Sequence, residues 1–277
     1  MVGLERVGIN VERYVAFEIE DSAIAISKKN YPNIEHCGNV YDADFTQYKG
    51  FDLLIGGSPC TYWSIARKDR ETTSSGIGFD LFMQFVRAKD ESGCKYFLYE
   101  NNNSISQDIK NEISKHLGVQ PIMINSELVS AQSRKRCYWT NIPNVTQPKD
   151  KNIKLQDILE NGFVDREKSL CLTRRYAGFT GSQSYLCRRY FGKSMGQAKF
   201  LNEESYLRVK DKFKKNNRFD SEALDILPLK IKEIERLQTL PDGYTDVDGV
   251  SRIQRIEAIG NGWTVDVIAH ILKELSK

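Results

Sequence analysis

Residues 51–60 of the 277-residue chain read Phe-Asp-Leu-Leu-Ile-Gly-Gly-Ser-Pro-Cys, a short apolar run that ends in two glycines, a serine, a proline and a cysteine. An apolar run bounded by turn residues predicts a buried strand followed by a tight loop. Glycine lets the backbone turn sharply and approach a neighbour closely, and proline stiffens the loop. We therefore expect Cys60 just beyond the carboxyl end of a strand, in a loop of restricted shape.

The sequence on both sides of this stretch alternates between predicted strands and helices. Apolar runs predict strands at residues 13–19, 51–55, 95–99 and 121–125. Helical spacing of apolar residues predicts helices at 21–29, 79–90 and 105–117, the first capped by Asp21. This alternation predicts an α/β domain with a mostly parallel sheet, whose chemistry lies at the carboxyl ends of the strands. Gly56–Cys60 and Glu100–Asn102 are both expected at that edge.

The pattern changes after about residue 143. Residues 145–232 are irregular and interleave glycine, arginine, lysine and tyrosine, and helical spacing returns at 229–240, 251–259 and 263–275. We therefore predict a catalytic α/β domain over residues 1–144, an insert over 145–232, and C-terminal helices over 233–277 that complete the catalytic domain.

The charge of the chain is distributed unevenly between these regions. The net charge is only +3, which by itself argues against a highly basic nucleic-acid coat. Residues 145–232, however, hold 19 Lys or Arg and 11 Asp or Glu, so the insert carries +8 and the remainder −5. A solvated lysine-rich surface would explain this excess, but the paired arginines beside aromatic residues, Arg174-Arg175-Tyr176 and Arg188-Arg189-Tyr190, favour phosphate binding.

Composition excludes several other classes of protein. No apolar run approaches the roughly 18 residues that span a bilayer, and the N-terminus lacks a signal-peptide pattern. The six cysteines show no C-x-x-C spacing, and the three histidines do not cluster with them. We therefore expect neither a zinc site nor a disulfide framework, but reduced thiols in a cytosolic protein.

Further motifs join the Gly-Gly-Ser-Pro-Cys loop along the chain. They are Glu100-Asn101, the spaced Gln132, Arg134 and Arg136, the segment Arg236-Leu-Gln-Thr-Leu-Pro-Asp242, and Gly260-Asn261. Together these motifs resemble the C5-cytosine DNA methyltransferase family, in its phage and bacterial type with a Ser-Pro-Cys nucleophile loop. The motifs stand in the family's order and cover nearly the whole chain.

The resemblance implies a Rossmann-like methyltransferase fold with a smaller target recognition domain at residues 145–232. It implies an enzyme that transfers a methyl group from S-adenosyl-L-methionine to carbon 5 of a cytosine flipped out of double-stranded DNA. We expect a monomer in the cytoplasm of a bacterium or a phage-infected host, in a restriction–modification, regulatory or phage-protective role.

The resemblance also assigns catalytic roles to four residues. Cys60 attacks carbon 6 of the base as a thiolate, which makes carbon 5 nucleophilic. Arg134 or Arg136 is expected to lower the pKa of that thiol. Glu100 shares a proton with ring nitrogen 3, and Arg136 holds the carbonyl oxygen of the base.

Cofactor and DNA contacts follow from the same resemblance. Glu18 matches the acidic residue that binds the ribose hydroxyls of the cofactor, although a solvated strand-end glutamate is the alternative. Ile19 is expected against adenine, and Asn39 with Val40 stands where the family often has an aspartate facing that base. The further cofactor candidates are Ser58, Pro59, Asn261 and Trp263, and the DNA-binding candidates are Ser64, Arg174, Arg175, Arg188 and Arg189.

The sequence departs from the family pattern at its start. Residues 1–7 resemble the helix that follows the family's first strand and its Phe-x-Gly-x-Gly cofactor loop, which implies that both are missing. A shortened chain is the preferred interpretation, and an impaired protein is the other. Two functional alternatives stay open: a catalytically silent DNA-binding remnant, and a transfer-RNA cytosine-5 methyltransferase. The second is disfavoured because its typical Cys-Phe-Thr tripeptide does not occur in this chain.

Overall fold

The computed structural model describes residues 1–64, 68–173, 182–193, 197–216 and 224–276, apart from the side chains of Cys60 and residues 214–216. The strands are β1 (Val15–Ala16), β2 (Glu35–His36), β3 (Leu53–Gly56), β4 (Tyr96–Asn102), β5 (Ile122–Asn125), β6 (Lys135–Thr140), β7 (Ala198–Phe200) and β8 (Ile226–Pro228). The helices are α1 (Val2–Arg6), α2 (Asp21–Asn30), α3 (Ile77–Ser92), α4 (Gln107–Leu117), α5 (Gln183–Phe191), α6 (Glu203–Asn216), α7 (Ile231–Leu237), α8 (Arg252–Asn261) and α9 (Val265–Leu272).

The central sheet has four strands in the order β3-β4-β6-β5. Strands β3 and β4 are parallel, whereas β6 is antiparallel to both β4 and β5. The α/β class is confirmed, but the expectation of a mostly parallel sheet is wrong for this sheet. No helix crosses back between β5 and β6, so the chain returns directly and pairs antiparallel, as such short connections require.

Helices cover both faces of the central sheet. Alternation along β4 sends Phe97 and Tyr99 to the face covered by α3 and α4, and Leu98 to the face covered by α1 and α9. Because both faces are buried, the first four residues of the strand, 96–99, are all aromatic or apolar, as expected for a central strand of an α/β sheet. The same alternation carries Glu100 to the face of Leu98, toward the start of α9.

A separate apolar core holds the insert together. It joins residues from α5, β7 and β8, such as Tyr190, Phe200 and Ile226, to Leu237 of α7 and Ile256 of α8. Helices α7 and α8 therefore share the core of the insert, while α9 packs on the central sheet. The domain limits at residues 144 and 232 stay a prediction.

The predicted elements of the first 125 residues are largely confirmed. Helices α2, α3 and α4 begin and end within two residues of their predicted limits. The strand predicted at 13–19 shrinks to Val15–Ala16, and Asp21 is not the cap, since Glu20 occupies that position without a side-chain bond. Asp21 lies instead in the first turn, where a negative charge is favourable. The irregular composition of the insert predicted none of α5, α6, β7 and β8.

The first described element is α1, which packs on α9 and agrees with the helix expected for residues 1–7. Among the described residues, the edge of β1 away from β2 and the edge of β3 away from β4 have no ladder partner. Tyr14 beside β1 and Ile55 of β3 line one cavity of about 310 Å³, together with residues of α1 and α9. No helix within the described ranges is long and apolar enough to cross a membrane.

Candidate active site

The Gly56–Cys60 loop and the end of β4 meet at one edge of the central sheet, which we call the rim. Strands β3 and β4 pair in parallel with Gly56 opposite Tyr99, so both strands end at the same edge. The rim comprises residues 56–60 and 100–102. The prediction that these two segments lie together is confirmed.

The two glycines of the loop are required by close contacts. A Cβ atom on Gly57 would lie 2.8 Å from the carbonyl oxygen of Glu100, and one on Gly56 would lie 2.7 Å from the ring of Phe85. Backbone and a buried ring cannot move away cheaply. The glycines therefore let the loop lie directly against β4 and α3.

Hydrogen bonds hold Ser58 against β4. The Ser58 hydroxyl lies 2.6 Å from the Tyr99 hydroxyl, and Asn101 Nδ2 donates to the Ser58 carbonyl oxygen at 3.2 Å and to the Tyr99 hydroxyl at 3.2 Å. Burial raises the pKa of Tyr99 to about 12, so this phenol stays neutral. The sequence predicted Ser58 as a cofactor contact and did not single out Tyr99. The position of Tyr99 directly before Glu100 could have indicated a polar group at the rim.

Cys60 begins a 3₁₀ turn, Cys60–Tyr62, immediately after the loop. Its side chain lies outside the described part of the chain, so its role as nucleophile stays a prediction. Pro59 is exposed and Ser64 is half-buried. The segment that follows is attached to the body of the protein, because Arg70 donates to the Ser104 carbonyl oxygen at 2.8 Å.

Glu100 is the buried carboxyl group of the rim, with 8% of its surface exposed. Its Oε1 lies 2.9 Å from Arg136 Nε, without the alignment of a hydrogen bond. Burial raises the pKa of Glu100, while the positive charges of Arg136 and Arg134 and a hydrogen bond from Trp263 oppose that rise. The carboxyl group is therefore shifted toward its protonated form, as a proton donor to a bound base requires.

The spaced Gln132, Arg134 and Arg136 serve two different purposes. Arg136 contacts Glu100, as described above. Arg134 is 3% exposed and donates to the carbonyl oxygens of Leu172 and Gly262, each at 2.9 Å. Gln132 is fully buried and accepts a hydrogen bond from the Leu172 amide. Gln132 and Arg134 thus join the sheet to the insert, and Arg134 also reaches the loop before α9. Its catalytic role stays a prediction.

The loop between α8 and α9 brings Trp263 to the rim. Trp263 is half-buried, its side chain hydrogen-bonds to Glu100, and its ring would lie 3.5 Å from a Cβ on Gly57. Asn261, at the end of α8, is exposed. The sequence predicted both residues as cofactor contacts, and the geometry adds that Trp263 touches the buried carboxyl group.

A second polar edge lies at the ends of β1 and β2. These strands are parallel, so Glu18 and Asn39, which follow them, come to the same edge. Glu18 Oε1 accepts hydrogen bonds from the amides of Ile19 at 2.8 Å and Glu20 at 2.9 Å, and Ile19 is 68% exposed. A fixed carboxylate beside an exposed apolar side chain suits the diol and the base of a nucleoside.

Asn39 caps the 3₁₀ turn that follows β2. Its amide oxygen accepts from the Tyr41 amide at 3.1 Å and caps the 3₁₀ turn that starts at Val40. An amide oxygen can accept two hydrogen bonds, so Asn39 keeps accepting capacity beside its NH₂ donors. Both residues stay predicted cofactor contacts.

The basic candidates of the insert are only partly located. Arg188 and Arg189 lie in the last turn of α5, where positive charge is also favoured by the helix dipole. Arg188 is exposed, whereas Arg189 donates to the Tyr185 hydroxyl at 3.0 Å and lies over its ring. Arg174 and Arg175 lie outside the described residues.

Comparison with known proteins places this fold among methyltransferases. The chain superposes on the Entamoeba histolytica methyltransferase EhMeth with a TM-score of 0.71 and 16% identity, covering 99% of this chain and 93% of that chain. The C-5 cytosine-specific DNA methylase family matches residues 1–277, and the chain therefore belongs to this family.

The curated relatives are 25–28% identical to the chain, and they differ widely in length. The chain is 25% identical to Type II methyltransferase M.NlaX of Neisseria lactamica over 301 residues, which is 99% of this chain and 91% of the relative. It is 28% identical to the Orphan methyltransferase M.SPRI of Bacillus phage SPR over 176 residues, 57% of this chain and 39% of the relative. It spans less than half the length of several further relatives.

Proposed function

We propose that the chain is a DNA (cytosine-5-)-methyltransferase that uses S-adenosyl-L-methionine. The observation that carries this proposal is the rim itself: a buried Glu100 with a raised pKa, paired with Arg136, lies against the loop that presents Cys60. Family membership and the name of M.NlaX, a relative of nearly the same length, support the same activity.

The residues of the rim supply complementary chemistry. The Cys60 thiolate adds to carbon 6 of cytosine while Glu100 donates a proton to nitrogen 3, so the electron pair of the ring becomes available at carbon 5. Arg136, beside Glu100, stabilises negative charge on the base carbonyl. S-adenosyl-L-methionine, when bound, supplies the methyl group. Solvent accepts the carbon 5 proton as the Cys60 sulfur leaves as a thiolate, and the proton on nitrogen 3 returns to Glu100, which restores the aromatic ring.

The edge of β1 and β2 is the proposed cofactor site. The Glu18 carboxylate would accept hydrogen bonds from the ribose hydroxyls, and the exposed Ile19 would cover one face of adenine. Asn39 and Val40 would border the same base. The loop residues Ser58 and Pro59, together with Asn261 and Trp263, would complete the site toward the rim.

The insert is the proposed DNA-binding surface. Its +8 charge and the exposed Arg188 suit the phosphates of double-stranded DNA. Arg174, Arg175, Arg189 and Ser64 are the other proposed contacts. Because carbon 5 and carbon 6 are inaccessible in a stacked duplex, the target cytosine would be flipped into the rim. We propose that the chain acts as a monomer in the cytoplasm of a bacterium or of a phage-infected host cell.

Transfer of a labelled methyl group tests the proposal. Tritiated S-adenosyl-L-methionine is supplied with either unmethylated bacterial genomic DNA or bulk transfer RNA. We expect label in DNA and none after Cys60→Ser, with Cys94→Ser as the matched control that keeps activity. Label in transfer RNA alone would instead support the alternative substrate. No cofactor binding at millimolar concentration in calorimetry would support the silent DNA-binding alternative.

A further inference from the structure

Tyr99 carries a hydroxyl group at the edge of an otherwise apolar cluster of aromatic rings. Its ring packs against Phe82, Phe85 and Trp139, with ring centroids 5.1, 5.0 and 5.8 Å away. The residue is fully buried. A buried phenol is unfavourable unless its hydroxyl group is hydrogen-bonded, so the partners of this hydroxyl are structurally significant.

The partners of Tyr99 all belong to the rim. The hydroxyl lies 2.6 Å from Ser58 Oγ and accepts from Asn101 Nδ2, which also donates to the Ser58 carbonyl oxygen. Ser58 is thus held at both its side chain and its backbone. Proton sharing among three connected polar groups makes their contributions interdependent.

Tyr99 itself is fixed by the sheet. It pairs with Gly56 of β3 on one side and with Trp139 of β6 on the other. The Tyr99 hydroxyl group therefore has a fixed position beside the Gly56–Cys60 loop. The glycines of that loop would otherwise allow its backbone many conformations. Only Pro59 separates Ser58 from Cys60, so the placement of Ser58 determines where the cysteine begins.

We propose that Tyr99 is a positioning residue, which acts through Ser58 and Asn101 to hold the Gly56–Cys60 loop in the conformation that presents Cys60 to the base. The inference rests on the proposed function for its catalytic consequence. The inferred placement of Cys60 does not depend on the proposed function, because it can be measured without turnover.

Tyr99→Phe removes one oxygen atom and keeps the ring contacts. We expect kcat per folded molecule to fall about fivefold to tenfold, the value of one hydrogen bond, with an unchanged KM for bacterial genomic DNA. Tyr31→Phe is the matched control, because it removes a hydroxyl that donates to Glu5 Oε2 at 2.6 Å after α2. This control should keep the wild-type kcat. A wild-type kcat in Tyr99→Phe would overturn the proposal.

The Ser58→Ala variant and the Tyr99→Phe/Ser58→Ala double variant test whether the hydroxyl groups of Tyr99 and Ser58 act together. We expect the double variant to be no slower than the slower single variant, because either change breaks the same link. A kcat that falls by the product of the two single effects would show independent roles and overturn the proposal. Ser58 is half-buried in a loop, so this variant stays informative even if Tyr99→Phe folds poorly.

Alkylation of Cys60 separates failure of this inference from failure of the proposed function. Iodoacetamide modification of the Cys60 peptide is followed by mass spectrometry across pH. We expect severalfold slower modification in Tyr99→Phe and Ser58→Ala, because a displaced thiol would lie farther from Arg134 and Arg136, the positive charges expected to favour its thiolate. Unchanged alkylation rates in both variants would overturn the inference. Methyl transfer that survives Cys60→Ser would contradict the proposed function and leave the alkylation result standing.

Discussion

The rim and the exposed face of α5 both present charged side chains, but they hold them in different ways. At the rim, Glu100 is buried beside Arg136, and Trp263 donates to it. On α5, Arg188 is exposed, and Arg189 donates to the hydroxyl group of Tyr185 in its own helix. Proton transfer requires a fixed geometry, whereas phosphate binding tolerates mobile charges. Changes at the rim should therefore affect turnover, and changes on α5 should affect salt-dependent binding.

The largest expected effect follows Glu100→Gln at the rim. The amide cannot donate an acidic proton, so we expect kcat to fall by about 10²- to 10⁴-fold, the usual value of general acid catalysis. The dissociation constant for DNA should stay close to that of the wild type. Glu112→Gln on the surface of α4 is the control and should be fully active. If weaker DNA binding accounted for the whole loss of activity, the assignment of turnover to the rim and of DNA binding to the insert would be contradicted.

A buried ion pair between the insert and α7 should affect stability rather than chemistry. Lys199 Nζ lies 2.5 Å from Glu233 Oε1, and the two side chains are 2% and 0% exposed. Lys199→Met leaves a buried carboxylate without its counterion, so we expect the free energy of unfolding to fall by about 3–5 kcal/mol. Adding Glu233→Gln should recover part of that loss, because it removes the unpaired charge and keeps an acceptor for the backbone amides of Glu160 and Lys230. Denaturant titration measures both variants, and a double variant as unstable as the single one would contradict this explanation.

The pH dependence of turnover sharpens the assignment of Glu100. Burial raises the pKa of this carboxyl group, and in the proposed mechanism its protonated form is the active one. The wild-type kcat should therefore be highest below that raised pKa and fall up to about tenfold per pH unit above it. Glu100→Gln has no titrating group there and should lack this limb. If the limb persists in the variant, another residue is the acid.

The smallest expected effect distinguishes two neighbouring arginines of α5. Arg188→Ala should weaken DNA binding and reduce the slope of log K against log salt by about 1, because an exposed guanidinium can contact one phosphate. Arg189→Ala should change the slope less, since Arg189 is already bound to Tyr185. Fluorescence anisotropy with duplex DNA at several salt concentrations measures both. Equal slopes in the wild type and in Arg188→Ala would remove α5 from the proposed interface.

The sequence could predict which segments meet at the rim. Parallel strands end at one edge, so a glycine-bounded loop after one strand and Glu100 near the end of the next had to lie together. The α/β class and the three helices of the first 117 residues followed from apolar spacing in the same way. These inferences needed only local patterns and one topological rule.

The remaining features depend on contacts between residues far apart in the chain. The Ser58–Tyr99 hydrogen bond requires the register of β3 against β4. Arg134 is bound by carbonyl groups of Leu172 and Gly262, which no spacing rule connects to it. The antiparallel β6 was missed as a strand of the sheet because its charged start resembles a loop. Tertiary contacts, rather than local propensity, determine these features.

Bisulfite sequencing shows directly whether the chain methylates cytosine in DNA and whether Cys60 is required. The chain, and separately its Cys60→Ser variant, is expressed in bacteria that lack cytosine methylation, and total DNA is converted and sequenced. We predict protected cytosines at a defined sequence context in cells with the wild-type chain, and none in cells with the variant. Equal protection in both would contradict the assignment of Cys60, and fully converted DNA in both, with the protein folded and abundant, would contradict DNA methyltransferase activity of this chain.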